Sequence, residues 1–222
     1  MGGPVLEDQK VMQILKDVGA VIPNSHFVFT SGRHADTYVN KDALYAHPAN
    51  TARLCQMMAD QYQADQVDVV AGPTIGGVIL SQWVAYHLNQ KRSAAETLSI
   101  YAEEEISGQE KKRIFKRGYD LHIPGKNVLV VEDLLTTGGS ARKVIEAIRH
   151  LGGNVIGLSV LCNRGGVKSD AVGGVQIHAL INLNLDSFDA AECPLCSKNV
   201  PINTAVGKGR EFLEKKGLRV AP

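Results

Sequence analysis

Two adjacent carboxylates, Glu132 and Asp133, follow the apolar run Val128 to Val131 and precede a small-residue loop, Thr136-Thr137-Gly138-Gly139-Ser140. The apolar run reads as a buried strand, and the apolar spacing beyond Ser140 reads as an amphipathic helix. The acids therefore stand at the carboxyl end of a strand. The loop's backbone N–H groups gather at a helix N-terminus, where negative charge is favoured. That order suits a sugar phosphate: amides and hydroxyls hold the phosphate, and carboxylates accept hydrogen bonds from the sugar hydroxyls. Glycine pairs before helices are common on their own; here strand, acid pair, hydroxyl-rich loop and helix come in the required order. A Walker A pattern and a G-x-G-x-x-G dinucleotide pattern are both absent from the sequence.

Three further places carry chemistry. Ala71-Gly72-Pro73-Thr74-Ile75-Gly76-Gly77 again lies between an expected strand and helix. Glycines there let the backbone approach an anion closely, with helix N–H groups behind them. The stretch Glu103 to Gly118 holds Lys111, Lys112, Arg113, Lys116 and Arg117. Most such charge runs are solvated faces, but one this long and polar is also what a lid over an anionic site needs. Arg164 follows the strand after the acidic loop's helix, at the same end of the expected sheet as the two loops. Cys193-Pro194-Leu195-Cys196 is a single CxxC. Without a second pair or a closely spaced histidine pair it falls short of a zinc site, and the seven His read as structural or surface residues.

The elements that must position these groups alternate between strand and helix. A helical stripe over residues 5–18 ends at Gly19. Two β-type runs, His26 to Thr30 and Thr37 to Asn40, flank a turn at Ser31-Gly32-Arg33-His34 and suggest a hairpin. Pro48 and Asn50 open a helix through about Gln63. Strands are expected at 67–72, 98–101, 128–131, 154–161 and 175–183, and helices at 78–88, after Ser140 and at 208–216. Alternating strands and helices imply an α/β fold with a parallel sheet and right-handed crossovers. Trp83 and the Met57-Met58 pair fall on helical spacings and read as core.

Composition sets the bounds. The 222 residues are 44% hydrophobic and 21% charged, enough for a full core. Lys and Arg number 24 against 23 Asp and Glu, a formal charge of +1, so nucleic acid is not an expected partner. No apolar run approaches the length of a membrane span, and the start, MGGPVLEDQK, has no signal-peptide pattern. Four Cys in a chain that does not need disulfides point to a reducing cytoplasm.

The acidic-pair loop resembles the signature of the type I phosphoribosyltransferases, which bind 5-phosphoribosyl-1-pyrophosphate. The stretch His26 to Leu44, with Ser31-Gly32-Arg33 and Tyr38, resembles the N-terminal hood of the orotate phosphoribosyltransferases, and some of these also carry a segment like Glu192 to Cys196. The resemblance runs from about Gly19 to Leu185. It implies a single domain over 1–222, a type I phosphoribosyltransferase fold with a hood in 1–45 and a flexible lid loop in 102–120. It further implies that Glu132 and Asp133 hold the ribose hydroxyls. Thr136, Thr137, Gly138, Gly139 and Ser140 hold the 5′-phosphate, Leu134 and Leu135 belong to the same phosphoribosyl-pyrophosphate-binding loop, and Thr74, Gly76 and Gly77 line the pyrophosphate. Thr136 and Arg164 face orotate, while Asp133 and a lid cation, placed at Lys112, act in catalysis.

Orotate, phosphoribosyl pyrophosphate and Mg²⁺ are the implied ligands, and a homodimer sharing its lids is the implied assembly. Relatives acting on 6-oxopurines typically have Asp where this chain has Thr136, which favours a pyrimidine. Many members have Lys at the positions of Thr30 and Gly76, and an Arg-Lys pair near Ala102 to Glu104. Those differences keep two alternatives open: an enzyme of the same fold using a purine or another base, and a non-catalytic regulator that senses phosphoribosyl pyrophosphate.

Overall fold

A computed structural model describes residues 4–217 apart from residues 94, 109 and 184. In chain order the elements are α1 (Pro4–Asp17), β1 (Val21–Ile22), β2 (Phe27–Val28), β3 (His34–Ala35), β4 (Tyr38–Val39), α2 (Lys41–Tyr45), α3 (Pro48–Ala59), β5 (Val69–Pro73) and α4 (Gly76–Asn89). There follow β6 (Leu98–Ser107), β7 (Glu110–Ile114), β8 (Asn127–Leu135), α5 (Gly139–His150), β9 (Asn154–Asn163), β10 (Ile177–Asn182), α6 (Pro194–Ser197) and α7 (Gly209–Lys215). Contacts divide the chain into two compact units, one of Met1–Val11 with Tyr45–Leu183 and one of Met12–Leu44 with Asn184–Pro222. Among the described residues no helix is long and apolar enough to cross a membrane.

The larger unit is built on a six-stranded sheet in the order β10-β9-β8-β5-β6-β7, parallel except for the β6–β7 pair. Its central strands have both faces covered, which is why Val128 to Val131 is apolar without alternation. One face, carrying Val69, Ala71, Ile100, Val130, Leu158 and Val160, packs on Val144, Ile145 and Ile148 of α5. The alternate residues Val70, Leu129 and Val131 are equally buried on the opposite face. Each such side chain removed from water contributes about 1.5–3 kcal/mol. Met58 belongs to this buried set, but Trp83 does not: it is half-buried, stacked on His87 and edge-on to Tyr86.

The chain leaves β5 for β6 on one side, while β8 returns on the other. Ligands of open parallel sheets bind where strand order reverses in this way, beyond the strand carboxyl ends. The loops that follow β5 and β8 therefore lie side by side at that reversal.

A buried anchor holds the amino end of β5. The Arg92 guanidinium donates to the carbonyls of Ala64 and Val67, to Thr97 Oγ1 (3.0 Å) and to Asp68 (3.2 Å). Asp68 also accepts from the Asn127 N–H at 3.0 Å. That backbone bond, helped by Arg92, holds the Asp68 carboxyl below its ordinary value. A depressed folded value gives stability that is complete above the unfolded value, about 3.9, and is lost as pH falls through the folded one. Urea midpoints measured at about pH 5 and about pH 3 should therefore fall further for the native protein than for Asp68→Asn. Equal drops would remove Asp68 as a source of acid sensitivity.

Two stretches fold differently from their sequence reading. Residues 98–101 were expected to be a short strand leading into a loop; instead β6 continues to Ser107 and pairs antiparallel with β7 as a hairpin. Glu103, Glu104 and Glu105 carry no apolar alternation that would mark a strand, and the hairpin is held by backbone bonds and cross-strand charge pairs.

The second difference lies in the smaller unit. Its hairpin is β2 with β3, register Val28↔His34, whereas β4 pairs with β1. His34 is thus a strand residue rather than part of the turn, which closes at Gly32 with φ +81°. The C-terminal segment completes this unit. Phe188 and His34 exchange backbone hydrogen bonds, Asn203 N–H donates to His26 O, and Lys208 N–H donates to Val28 O. Arg33, part of the hood motif, donates to Ser187 Oγ at 2.9 Å and Asp189 at 3.2 Å.

Candidate functional site: two anion loops and a bridging arginine

Near its carboxyl end, before Leu134 and Leu135, β8 carries Glu132 and Asp133, both nearly fully buried, at 6% and 4% exposure. Glu132 Oε1 accepts from the Asp133 N–H at 3.1 Å, and Tyr45 donates its hydroxyl to Asp133 Oδ2 at 2.9 Å. Burial, and then the adjoining Asp133 carboxylate, push the Tyr45 hydroxyl far above its ordinary value. Tyr45 is therefore a fixed donor to Asp133 at any working pH.

Beyond the acids, Thr136, Thr137 and Gly139 are exposed and Gly138 is buried. Gly138 has φ +79°, and a Cβ there would lie 2.9 Å from Val172 and 3.0 Å from Val167, so this turn requires glycine. It is the N-cap of α5 and has no side chain of its own to cap that helix. The Gly139 N–H meets Thr137 Oγ1 at 3.4 Å, and the rest of the first turn presents its N–H groups to the loop, the arrangement a phosphate completes.

The loop after β5 comes up against the acid pair. A Cβ on Gly76 would strike both Asp133 Oδ2 and the Tyr45 hydroxyl. Gly72 and Gly77 pack equally tightly, an added Cβ on Gly72 lying 2.6 Å from the Gly77 Cα. Here the glycines bring strand end, helix start and carboxylate into contact. α4 begins at Gly76, also without a side-chain cap.

Arg113 on β7 joins the two loops. Its Nη1 donates to Thr74 Oγ1 at 2.9 Å and its Nη2 to Ser140 Oγ at 3.3 Å. The side chain is only 11% exposed and lies 3.9 Å from Glu104. Lys112 lies apart from this group: alternation turns it to the other face of the hairpin, where it is 60% exposed and paired with Glu110 at 3.1 Å. Of these two neighbouring cations, it is Arg113 and not the expected Lys112 that lies against both loops.

The three consecutive glutamates are also accounted for. Glu103 pairs with Arg117 at 3.0 Å, Glu104 with Lys111 at 3.5 Å, and Glu105 with Lys116 at 3.4 Å. Each exposed pair is worth little stability, but together they cancel acidic charge beside an anion site.

Arg164 closes the third side. Its N–H and that of Gly165 both donate to Leu135 O, at 2.9 and 3.0 Å. A Cβ on Gly165 would strike the Thr136 carbonyl. The end of β9 is thereby locked to the start of the acidic loop, with the Arg164 side chain half-buried. Tyr45 was missed from sequence because it is 88 residues from its partner and sits in a helix of five residues.

The phosphoribosyl transferase domain model matches residues 40–176, which include both loops, the hairpin and Arg164. Orotate phosphoribosyltransferase of Caldanaerobacter subterraneus is 34% identical over 89% of this chain and 96% of its own length. That of Thermotoga maritima is 35% identical over 90% and 98%. The chain belongs to the orotate phosphoribosyltransferase family. The crystal structure of the Aeropyrum pernix orotate phosphoribosyltransferase superposes with a TM-score of 0.63, at 24% identity, over 93% of this chain and 98% of that one. The architecture is accordingly the type I phosphoribosyltransferase fold expected from the acidic loop. In this chain a lysine at position 76 has no room beside Asp133.

Proposed function

We propose that the protein transfers the phosphoribosyl group of 5-phosphoribosyl-1-pyrophosphate to orotate, giving orotidine 5′-monophosphate and pyrophosphate in pyrimidine biosynthesis. The observation that carries this reading is the meeting of the two anion loops at Gly76 and Asp133, bridged by Arg113. One donor molecule bearing phosphate at one end and pyrophosphate at the other would span them. The names of the relatives at 34–35% identity support orotate as the acceptor.

In this reading Thr136 to Ser140 and the α5 N-terminus hold the 5′-phosphate. Glu132 and Asp133 accept from the ribose hydroxyls, and Thr74, Gly76, Gly77 and Arg113 hold the pyrophosphate. As the glycosidic bond loosens, positive charge grows at the anomeric carbon and negative charge on the leaving group. Fixed carboxylates on one side and a fixed guanidinium on the other stabilise both. Thr136 and Arg164 hold orotate so that its ring nitrogen meets that carbon in line. Glu132 and Asp133 fix the ribose hydroxyls, and Mg²⁺, brought by the substrate rather than by a protein ligand, would supply neutralising charge for the departing pyrophosphate.

The assembly we propose is a homodimer. Exposed Ile106, near the hairpin tip beside Lys111 and Lys112, supports a tip that reaches a second copy. Four free thiols support a cytoplasmic setting.

A panel of bases incubated with phosphoribosyl pyrophosphate and Mg²⁺ tests the acceptor, with orotate absorbance and pyrophosphate release as readouts. Turnover of hypoxanthine or adenine but not orotate would overturn it. Arg164→Ala should raise KM for orotate by about 10–100-fold, the loss of a charge-assisted pair of bonds, with little change in KM for the phosphoribosyl donor. An unchanged orotate KM takes Arg164 out of the site.

A further inference from the structure

His26, His34, Cys193 and Cys196 lie in the smaller compact unit, none of them used in the reaction above. One nitrogen or sulfur from each converges, all four within 4.8 Å of one another, and three of the four residues are buried. We propose that these four side chains bind a structural zinc ion.

The distances fit a tetrahedral site. Bonds of about 2.0–2.1 Å to nitrogen and about 2.3 Å to sulfur give nitrogen–sulfur edges of about 3.6 Å. His26 Nε2 lies 3.7 Å from Cys193 Sγ and 3.7 Å from Cys196 Sγ, and His34 Nδ1 lies 3.4 Å from Cys196 Sγ. The His26 Nε2 to His34 Nδ1 distance is 2.7 Å and would open to about 3.3 Å around the ion. Two thiolates with two imidazoles in a tetrahedron is a donor set that selects zinc. Four protein ligands leave no open position, so the ion is structural rather than catalytic.

Proton accounting is compatible with the same site. His26 Nδ1 is 2.8 Å from the Val200 carbonyl, so it carries the proton and leaves the Nε2 lone pair facing the cluster. Without a metal, His34 Nδ1 must donate to that lone pair. His34 Nε2 is then a bare acceptor, and it is buried with no hydrogen-bond partner among the described residues. With zinc, both facing nitrogens are lone pairs on the ion, and the His34 proton moves to Nε2. That ring stands at 79° to Phe212, with centroids 4.8 Å apart.

The fold gives such a staple a purpose. The unit's four strands have two residues each, and its two segments come from opposite ends of the chain. His26 and Cys193 are 167 residues apart. Small units with short strands and little core commonly need a metal or disulfide to hold them. The distance along the chain is also why a lone CxxC looked too sparse for zinc: the histidine half of the site is remote, and its own spacing matches no short motif.

The test is metal analysis of the full-length protein, purified with reductant and dialysed against a weak chelator. We expect about one zinc per chain, lowered at least tenfold in the Cys193→Ser/Cys196→Ser double variant. Cys55→Ser and Cys162→Ser should keep the metal; burial pushes both of those thiols up to about 12, and neither belongs to the cluster. Cobalt(II) exchanged into the native protein should show strong visible bands of a tetrahedral site with thiolate-to-metal charge transfer, which decides the matter if the double variant does not fold. A native protein with under about a tenth of an equivalent of zinc and no tetrahedral cobalt spectrum would overturn the proposal. So would a Cys193–Cys196 disulfide in the protein as isolated from the cytoplasm. None of these readouts requires turnover, so they stand or fall apart from the proposed reaction.

Discussion

Replacing Asp133 with asparagine is expected to lower kcat by about 10²–10³-fold, the loss typical of removing one fixed electrostatic group from a transition state. The substitution keeps the shape of a side chain that is 4% exposed, and its amide oxygen can still accept from Tyr45. What it removes is the negative charge. In water the loss would be mild, but the acid sits in a packed corner of glycine and tyrosine where charge is poorly screened. Because that charge is needed most as the anomeric carbon becomes cationic, kcat should fall much more than affinity for the phosphoribosyl donor. Stopped-flow turnover together with calorimetric binding of phosphoribosyl pyrophosphate separates the two. A variant with native kcat and an unchanged melting temperature would show that Asp133 does not stabilise the reacting centre.

That site was legible in the sequence to the extent that residue order encodes it. A strand, an acid pair, hydroxyls, glycines and a helix each have a local signature, and the parallel-sheet rule then sets two such loops side by side. Tertiary contacts are another matter. Tyr45 reaches Asp133, and Arg113 rather than Lys112 reaches Thr74 and Ser140. Neighbouring cations in a charged run are equivalent until the strand pairing fixes which face each one takes. Charged residues on both faces of β6 and β7 also hid the hairpin itself, since periodicity detects a strand only through an apolar side. The swap of strand partners at His34 arose for a related reason. Several two-residue strands of similar propensity compete there, and long-range bonds to Phe188 choose among them.

The hairpin's facing therefore yields the sharpest contrast between two adjacent residues. Arg113→Met should lower kcat/KM for phosphoribosyl pyrophosphate by about 10²–10³-fold, whereas Lys112→Ala should change it less than about threefold, as expected of an exposed pair. Methionine keeps the unbranched stem of Arg113 and packs along the same surface, so the loss reports the guanidinium that joins Thr74 to Ser140. If Lys112→Ala were the damaging change, the hairpin would have to turn its other face to the substrate during catalysis. Mixing the two impaired proteins, Asp133→Asn and Arg113→Met, then reveals whose arginine serves which site. In a dimer that exchanges lids, each mixed pair contains one site with both defects and one with neither, so activity returns. Where each lid serves its own chain, every site keeps one defect and mixing restores nothing. Because Arg113 already bonds Thr74 and Ser140 of its own chain, a return of activity would mean that the hairpin leaves those bonds for the partner's site, and no return would mean that it keeps them.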